Sequence, residues 1–164
     1  MSLPLQIITN PSLKDKRGLY WTTWKKGICK KINFNHDKFS ISKKNTLRGI
    51  HCDYKSWRLV TCVYGEITQV LVDLRKDSNT YLKWQSYKIN KEEQKMVLIP
   101  PGCGNAYYVS SKHAVYHYKL AYEGAYLDAA EQFSVRWDDP SVGVKWPVSQ
   151  PFLSKRDLEA PFVK

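Results

Sequence analysis

The fold is decided by residues 57–75, which read WRLVTCVYGEITQVLVDLR. Alternation along Trp57–Tyr64 places Arg58 and Val60 on one face, which is typical of a strand packed against a core. The Gly65-Glu66 step predicts a tight turn, and Glu66–Arg75 predicts the next strand. This strand–turn–strand unit favours an all-β protein.

Strand signals continue along the rest of the chain. Four more strands are predicted, over Lys83–Ile89, Lys95–Ile99, Ala106–Val109 and Ala114–Leu120. The last two are predicted to pair as a hairpin around Ser110-Ser111-Lys112. Six Trp and eleven Tyr favour pleated, half-buried surfaces. Short apolar runs separated by Gly and Pro indicate a sandwich or a barrel.

Helix signals are few and short. One helix is predicted to begin near Asn90, where two glutamates suit a first turn, and another at Ser154, with Asp157 in its first turn. The turn-rich segment from Trp137 onward is expected to pack on the barrel. No repeat, low-complexity segment or linker interrupts the chain, so residues 1–164 are predicted to form a single domain.

The chain is strongly basic. It has 26 Lys and Arg against 15 Asp and Glu, which gives a formal net charge of +11. Such a charge attracts polyanions. The cations are spread along the sequence without a basic helix or an RNA-binding motif, so nucleic acid is disfavoured and a phosphorylated small molecule is favoured.

Location and redox state are predicted from other features. No apolar run approaches the roughly 20 residues that a membrane helix needs, so no membrane association is expected. Residues 1–6 lack the basic and apolar regions of a signal peptide, which favours a cytoplasmic protein. The four cysteines, at positions 29, 52, 62 and 103, show no zinc-type spacing and are predicted to be reduced thiols, with a disulfide as the less favoured alternative.

Two polar features of the predicted strands suggest chemistry. His51 closes the segment Leu47-Arg48-Gly49-Ile50-His51, but a lone His is more often structural, and a catalytic base needs a partner that orients it. Tyr116 and Tyr118 share one face of the strand Ala114–Leu120, where a hydroxyl either supplies a proton or only satisfies a buried hydrogen bond. The histidines form no His-x-His pair followed by Glu, so neither a metal nor another cofactor is predicted.

Taken together, these segments resemble the dTDP-4-dehydrorhamnose 3,5-epimerase family. The match runs in order from about Asp15 to Pro161, nearly the whole chain. Its motifs are Asp15-Lys16-Arg17-Gly18, Leu47-Arg48-Gly49-Ile50-His51, Arg58-Leu59-Val60, Gly65-Glu66, Val72-Asp73-Leu74-Arg75, Ile99-Pro100-Pro101-Gly102, Tyr118-Lys119, Trp137-Asp138-Asp139-Pro140, Trp146-Pro147 and Leu153-Ser154-Lys155-Arg156-Asp157. The resemblance implies an all-β jelly-roll (cupin-type) barrel with short peripheral helices, in a homodimer that exchanges N-terminal strands.

The resemblance also implies a substrate and residue roles. The substrate is a nucleotide-diphosphate sugar with a ketone at C4, inverted at C3, or at C3 and C5, for surface polysaccharide biosynthesis. His51 takes the position of the general base and Asp157 that of the carboxylate that orients it. Tyr118 takes the position of the acid on the opposite face. Arg17 and Arg48 fall where the family holds the substrate and its phosphates.

General chemistry supports these roles. A proton next to a ketone is too weakly acidic to leave unaided, and its removal gives an enolate with charge on O4. The site therefore needs a base on one face, an acid on the other and a positive group near O4. His51, Tyr118 and Arg58 are the right residue types for these three positions.

Five positions depart from the family's pattern. Arg58 stands where the family has an oxyanion-stabilising Lys, which keeps the charge but changes the geometry. Asn105 replaces a His and Gln69 replaces the Asp that pairs with it, which puts inversion at both carbons in question. Thr22 stands where a Glu helps to read thymine, and Asn35 lies near a neighbouring Gln position. A base other than thymine fits these changes, and a GDP-linked heptose is an alternative to a hexose.

Two other functions are weighed against the epimerase. A 3,4-ketoisomerase on the same scaffold needs its own proton relay, and the missing second His argues against it. A non-catalytic carbohydrate-binding barrel is the alternative from a different class, since fold alone does not determine function. The presence of His51, Tyr118 and Asp157 together argues against a binder.

Overall fold

The computed structural model describes residues 6–29, 31–123 and 132–163. Within these ranges the strands and the one helix are β1 (Gln6–Thr9), β2 (Ser12–Asp15), β3 (Gly18–Trp21), β4 (His36–Lys43), β5 (Leu47–Cys52), β6 (Trp57–Tyr64), β7 (Ile67–Asp73), β8 (Trp84–Ile89), β9 (Lys95–Ile99), β10 (Cys103–Val109), β11 (His113–Ala121), β12 (Phe133–Ser134) and α1 (Lys155–Leu158). The predicted bounds of β6 and β9 are confirmed at both ends. The other predicted strands are confirmed with ends that shift by one to three residues.

Two five-stranded antiparallel sheets form the body of the molecule. Their strand orders are β1-β9-β6-β11-β4 and β12-β5-β10-β7-β8. In the part of the chain that the structure describes, strands β2 and β3 pair only with each other, as a separate hairpin. The predicted all-β, jelly-roll (cupin-type) architecture is confirmed.

The predicted hairpin of the two strands around residues 110–112 is wrong. β10 pairs with β5 and β7, whereas β11 pairs with β4 and β6, so the turn carries the chain from one sheet to the other. The turn after β6 makes the same change of sheet, and the two turns are linked because Ser110 N donates to Glu66 O at 3.2 Å. Local alternation reports a buried face but not which sheet a strand joins.

The main core lies between the two sheets. Val60 and Cys62 of β6 meet Ile67 and Leu71 of β7 and Tyr116 of β11. Each of these side chains is at most 2% exposed, and burying an aliphatic side chain of this size stabilises the fold by about 1.5–3 kcal/mol. The inward faces predicted for β6 and β7 therefore match the core.

Both outer faces are covered by segments without regular structure. Val135 and Val142 pack on Val70 and Val72 of the second sheet, which confirms that the C-terminal part packs on the barrel. On the first sheet the cover comes from Trp21, Ile28, Cys29, Ile32 and Phe34, which pack against the outer side chains of β6 and β9. The sandwich is thus closed on both sides by its own chain.

One of the two predicted helices forms. Ser154 is the N-cap of α1, and its hydroxyl accepts from the N–H of Asp157 at 3.2 Å. The helix predicted near Asn90 is wrong. The side-chain oxygen of Asn90 accepts hydrogen bonds from the backbone N–H groups of Glu92 and Glu93 at 3.1 and 2.8 Å, as an N-cap residue does. The chain enters β9 at Lys95 before a helical turn follows.

The four cysteines are buried and free, as predicted. Burial raises the pKa of Cys52 to about 12 and that of Cys103 to about 11, so both thiols stay protonated and unreactive at neutral pH. In the part of the chain that the structure describes, no helix combines the length and the apolar character needed to cross a membrane.

Candidate active site

The close approach of β5 and β10 at Gly49 positions the base. A Cβ atom on Gly49 would lie 2.5 Å from Ala106 Cβ and 2.7 Å from Asn105 O, and the residue has a φ of +120°. Only glycine fits both the space and the backbone conformation. The resulting pairing places His51 directly opposite Asn105.

A cavity of about 290 Å³ opens between the two sheets at this point. It is lined by Ser40, Arg48, His51, Arg58, Asn105, Tyr107, Tyr116, Tyr118, Gln132 and Arg156. Five of the predicted site residues are in this set. Two more, Gln69 and Asp157, contact the lining side chains from behind. The structure therefore brings most of the predicted site together.

His51 is held by a buried carboxylate. Its Nε2 lies 2.5 Å from Asp157 Oδ1, and the other carboxylate oxygen accepts from the Ser154 hydroxyl at 2.8 Å. A carboxylate only accepts when ionised, so it keeps the ring proton on Nε2. Nδ1 has no partner among the described residues, and it is left as the nitrogen that accepts a proton.

Asp157 stays ionised although it is buried. Burial by itself would raise the pKa of Asp157, but the hydrogen bond and charge of His51 and the Ser154 hydroxyl outweigh it and hold this pKa below its usual value. The side chain of Asp157 is 3% exposed, that of His51 24%. A buried carboxylate that remains charged stabilises the imidazolium formed when His51 takes up a proton.

Two tyrosines of β11 face the cavity, as their predicted common face requires. The Tyr116 hydroxyl lies 2.9 Å from Gln69 Oε1 and 3.2 Å from Asn105 Oδ1, and burial raises the pKa of Tyr116 well above its usual value. The proton of Tyr116 is thus committed to internal hydrogen bonds. Tyr118 is only half-buried, and its ring centroid lies 5.8 Å from that of Tyr116.

Tyr118 and His51 reach the cavity from different sheets. Tyr118 lies on β11 of the first sheet and His51 on β5 of the second. A ligand between the sheets therefore meets the base on one side and the tyrosine on the other. Two more tyrosines follow β11 in the chain: Tyr122 does not line this cavity, and Tyr126 lies outside the described residues.

Arg58 is a fixed cation in the cavity wall. Its side chain is 3% exposed, Nη2 binds the Asp53 carboxylate, and Nη1 donates to Cys103 O at 3.5 Å. Burial would raise the pKa of Asp53, but the charge of Arg58 and hydrogen bonds from Ser56 hold it below its usual value. Arg58 therefore presents a guanidinium whose position is set by its own counter-ion.

Two further arginines line the cavity, and each is anchored by a serine. Arg48 Nε donates to Ser42 Oγ at 3.1 Å, and Arg156 Nε donates to Ser134 Oγ at 2.9 Å. Anchoring at Nε leaves the outer guanidinium nitrogens for a ligand, although Arg156 Nη2 also reaches the Gln132 carbonyl at 3.2 Å. Guanidinium groups bind phosphate oxygens in a bidentate manner.

Sequence reasoning missed four residues of the cavity lining, namely Ser40, Tyr107, Gln132 and Arg156. Arg156 directly precedes Asp157 in α1, and this adjacency is a signal that could have identified it. Ser40 and Tyr107, joined by a 2.7 Å hydrogen bond, carry no such signal because they meet only through tertiary packing. In the described ranges, no three His, Cys, Asp or Glu side chains are grouped as a metal site requires.

Three predicted substrate-binding residues do not line the cavity of this chain. Arg17 lies in the β2–β3 turn with its side chain 85% exposed, and it pairs with Asp15 at 2.6 Å. The backbone carbonyl of Thr22 accepts a hydrogen bond from the side-chain amide of Asn10. The Asn35 amide binds the backbone of Tyr122 at 2.7 and 3.2 Å. The structure thus leaves Arg17, Thr22 and Asn35 apart from the base and the acid.

Comparisons with known proteins find similar sequences and similar structures. The model of the dTDP-4-dehydrorhamnose 3,5-epimerase family matches residues 4–164. The dTDP-4-dehydrorhamnose 3,5-epimerase of Salmonella typhimurium is 33% identical over 99% of this chain and 92% of its own length. A dTDP-4-dehydrorhamnose 3-epimerase of Streptomyces niveus is 30% identical over 93% of this chain and 76% of its own. The crystal structure of a dTDP-6-deoxy-D-glucose-3,5-epimerase from Legionella pneumophila, in complex with dTDP-4-keto-L-rhamnose, has a TM-score of 0.88 at 30% identity and covers 96% and 87% of the two chains.

Proposed function

The chain belongs to the dTDP-4-dehydrorhamnose 3,5-epimerase family of isomerases, and from this membership we propose that it inverts C3, or C3 and C5, of a nucleotide-linked 4-keto-6-deoxy sugar. The observation that carries the proposal is the pair of His51 and Asp157, joined at 2.5 Å, in a cavity that Tyr118 lines from the facing sheet. A base and an acid on two sides of one ligand are what inversion of a carbon centre requires.

The reaction begins with removal of a proton next to the ketone. His51 Nδ1 takes the proton, and Asp157 stabilises the imidazolium that results. The electron pair of the broken C–H bond forms a C=C bond to C4, and O4 becomes an oxyanion. Arg58, a buried cation of the cavity wall, stabilises that charge. Tyr118 then returns a proton to the same carbon from the other side, which inverts it.

The diphosphate is assigned to the two serine-anchored arginines, Arg48 and Arg156. Both line the cavity beside His51, and neither is paired with a carboxylate in the described residues. Because each Nε is already held by a serine, little side-chain freedom is lost when a phosphate binds. The strongly positive net charge of +11 also favours an anionic substrate.

We propose that the base and the sugar can differ from those of a dTDP-hexose. Thr22 stands where the family has a Glu that helps to read thymine, and Asn35 lies near a neighbouring Gln position. The Asn35 amide is occupied by backbone hydrogen bonds. A GDP-linked sugar and a heptose therefore belong among the substrates to be tested. The deoxy-sugar product would serve surface polysaccharide biosynthesis, in a cytoplasmic enzyme with a single epimerase domain.

We propose a homodimer in which the β2–β3 hairpin of one copy lies on the other. Among the described residues the hairpin pairs only with itself, and Leu13 and Tyr20 on it are 71% and 70% exposed. β4 is an edge strand whose Phe39 and Ile41 are 63% and 73% exposed. Exposed apolar side chains of this size usually mark an interface. Exchange of the hairpin would carry Arg17 to the partner's cavity.

A solvent-exchange experiment tests the reaction. The protein is incubated in deuterated water with a panel of 4-keto-6-deoxy sugars, linked to dTDP or GDP and built on a hexose or a heptose. An epimerase labels C3, or C3 and C5, and forms the epimer, as NMR would show. A 3-keto product would indicate a ketoisomerase, and absence of label from every sugar nucleotide would indicate a binding protein and contradict the proposal.

Assembly is tested separately. Analytical ultracentrifugation should give twice the 19.1 kDa chain mass. Leu13→Asp combined with Tyr20→Asp should shift the protein to the monomer, because two charges would then enter the proposed interface. A monomer in the unmodified protein at micromolar concentration would contradict the exchanged dimer without affecting the proposed reaction.

A further inference from the structure

A polar cluster behind the cavity has no part in the proton transfers described so far. It consists of Gln69 on β7, Asn105 on β10 and Tyr116 on β11, and we call it the amide cluster. Gln69 Nε2 lies 2.7 Å from Asn105 Oδ1, and the Tyr116 hydroxyl contacts both amides. Gln69 is completely buried and Tyr116 is 2% exposed. All three side chains are uncharged.

Two backbone carbonyls fix the orientation of the Gln69 amide. Its Nε2 lies 3.1 Å from Val70 O and 2.9 Å from Ala106 O. A backbone carbonyl can only accept a hydrogen bond, so the NH₂ group of Gln69 must be the end that faces these oxygens. The Asn105 atom at 2.7 Å from this NH₂ group must then be the oxygen.

The orientation of Asn105 follows from that of Gln69. With Oδ1 turned toward Gln69 and Tyr116, Nδ2 is directed away from them. Nδ2 has no partner within the described ranges, and no side-chain polar atom there is both buried and unpartnered, so Nδ2 must be accessible. Since Asn105 lines the cavity, this NH₂ group faces it.

The donor also lies beside the base. Asn105 and His51 are direct partners across β10 and β5. Cβ atoms of such pairs are about 4.5–5.5 Å apart, and their side chains lie on the same face of the sheet. A sugar whose C–H bond meets His51 therefore has its carbonyl oxygen, two bonds from the reacting carbon, within reach of Asn105.

We propose that Asn105 is a catalytic residue whose Nδ2 donates a hydrogen bond to the C4 ketone oxygen, and that Gln69 is the positioning residue that turns this donor into the cavity. The inference rests on the proposed function. When the C–H bond breaks, its proton goes to His51 and its electron pair forms the C=C bond, while the C4=O π pair moves onto O4. Asn105 keeps its protons and donates a stronger hydrogen bond to the charged O4.

The surroundings of Arg58 explain why a second donor is useful. Arg58 brings positive charge, but its Nη2 is bound to Asp53, which offsets part of that charge. The Asn105 amide adds a directed donor that is present at every pH. The Asn105 amide cannot turn to present its oxygen to the cavity, because its NH₂ group would then face the NH₂ group of Gln69 and two donors would meet. The position is therefore specific for an acceptor on the sugar.

Two substitutions of similar size test the role of Asn105. Asn105→Leu removes the donor, while Gln69 keeps its two carbonyl partners and Tyr116 keeps Gln69 Oε1, so the fold is expected to survive. Asn105→Asp keeps the acceptor for Gln69 but places a carboxylate oxygen in the cavity. Both should slow solvent exchange at the sugar carbon about 10²–10³-fold, and the Asp variant more than the Leu variant. Affinity for the nucleoside diphosphate should change little.

The isotope effect separates catalysis from a structural role. With substrate deuterated at the reacting carbon, a less stable enolate makes C–H cleavage more nearly rate-limiting, so the primary isotope effect should rise in both Asn105 variants. Gln69→Leu keeps the Asn105 amide but lets it turn. This variant should lose less rate than the Asn105 variants, and its primary isotope effect should also rise. Asn79→Asp, an identical change at an exposed turn position between β7 and β8, should behave as the wild type.

The outcomes distinguish the two proposals. If Asn105→Leu exchanges at the wild-type rate with an unchanged isotope effect, the role of Asn105 is overturned and the epimerase function stands. If the wild-type protein labels no carbon of any sugar in the panel, the proposed function is overturned, and the role of Asn105 falls with it. Slow exchange with a raised isotope effect in both Asn105 variants supports the proposal.

Discussion

His51 and Asn105 lie opposite each other on neighbouring strands, but their supporting groups differ in charge. His51 is held by Asp157, a buried carboxylate that remains ionised. Asn105 is held by Gln69 and Tyr116, which carry no charge. A side chain that must gain and lose a proton needs a charged partner that stabilises its cationic form. A side chain that must keep one donor in place needs neutral partners that do not titrate.

The largest loss of exchange rate is expected when the base, His51, is itself replaced. His51→Asn keeps a polar side chain but cannot accept the proton, and exchange at every labelled carbon should fall by about 10⁴-fold. Binding of the nucleoside diphosphate, measured by calorimetry, should remain largely intact because the serine-anchored arginines are unchanged. Normal exchange in this variant would remove His51 from the role of base.

Tyr118→Phe should separate exchange from inversion. His51 can return a solvent-derived proton to the face from which it came, so deuterium should still enter the sugar. Epimer formation should fall by about 10²-fold, since the donor on the other side is lost while the ring volume is kept. Label and product are compared by NMR in deuterated water. Inversion at the wild-type rate would assign the acid to another residue, and Tyr116, which also lines the cavity, would be tested next.

Asp157→Asn should have a smaller effect than loss of His51. The carboxylate sets the tautomer and stabilises the imidazolium but does not itself move the proton, so a loss of about 10²-fold is expected. The rate of exchange is measured for both variants under the same conditions. An unaffected rate for Asp157→Asn would mean that the 2.5 Å contact has no catalytic role.

Acid should reduce the stabilisation that Asp157 provides beside His51, but not the stabilisation that Gln69 provides beside Asn105. The pKa of Asp157 is lower in the folded protein than in the unfolded chain, so its stabilisation is fully present above about pH 4 and is lost as pH falls through the folded value. The free energy of unfolding lost in Asp157→Asn, on the order of 1–3 kcal/mol at pH 7, should therefore shrink toward pH 2–3.

Gln69→Leu is the matched variant for this pH comparison. It should cost stability through the lost hydrogen bonds to the carbonyls of Val70 and Ala106, by an amount that does not change between pH 7 and pH 3 because no charge is involved. Urea unfolding of wild type and both variants at several pH values gives the comparison. A pH-dependent loss in Gln69→Leu would contradict the assignment of a neutral cluster.

Local sequence patterns predicted the strands better than their pairing. Trp57–Tyr64 was predicted with its bounds and inward face because alternation depends only on neighbouring residues. The partnership of β10 and β11 was predicted wrongly, because the same alternation satisfies a hairpin and a crossing between sheets. The turn at Asn90 carries a helix-cap signal, but the strand that begins at Lys95 leaves no room for a helix.

The candidate site was predictable where a motif carries it. His51, Asp157 and Tyr118 are found by resemblance, and the geometry of the cavity is compatible with the roles that follow. Ser40 and Tyr107 lie in no motif, and they reach the cavity only because β4 and β10 face each other across the sheets. Arg17 shows the opposite case: its motif is clear, but the cavity of its own chain does not contain it.

His51 and Asp157, the catalytic base and the carboxylate that orients it, are separated by 106 positions in the chain. Closing a loop of that length costs more conformational entropy than closing the short loops between neighbouring strands, so we expect this contact to form late in folding. Because proton abstraction by His51 depends on this contact, the recovery of activity reports when the contact forms during folding. In a refolding experiment, recovery of carbon–hydrogen exchange should lag behind the recovery of strand signal in far-ultraviolet circular dichroism, and the length of that lag measures how late the segment around Asp157 docks onto β5.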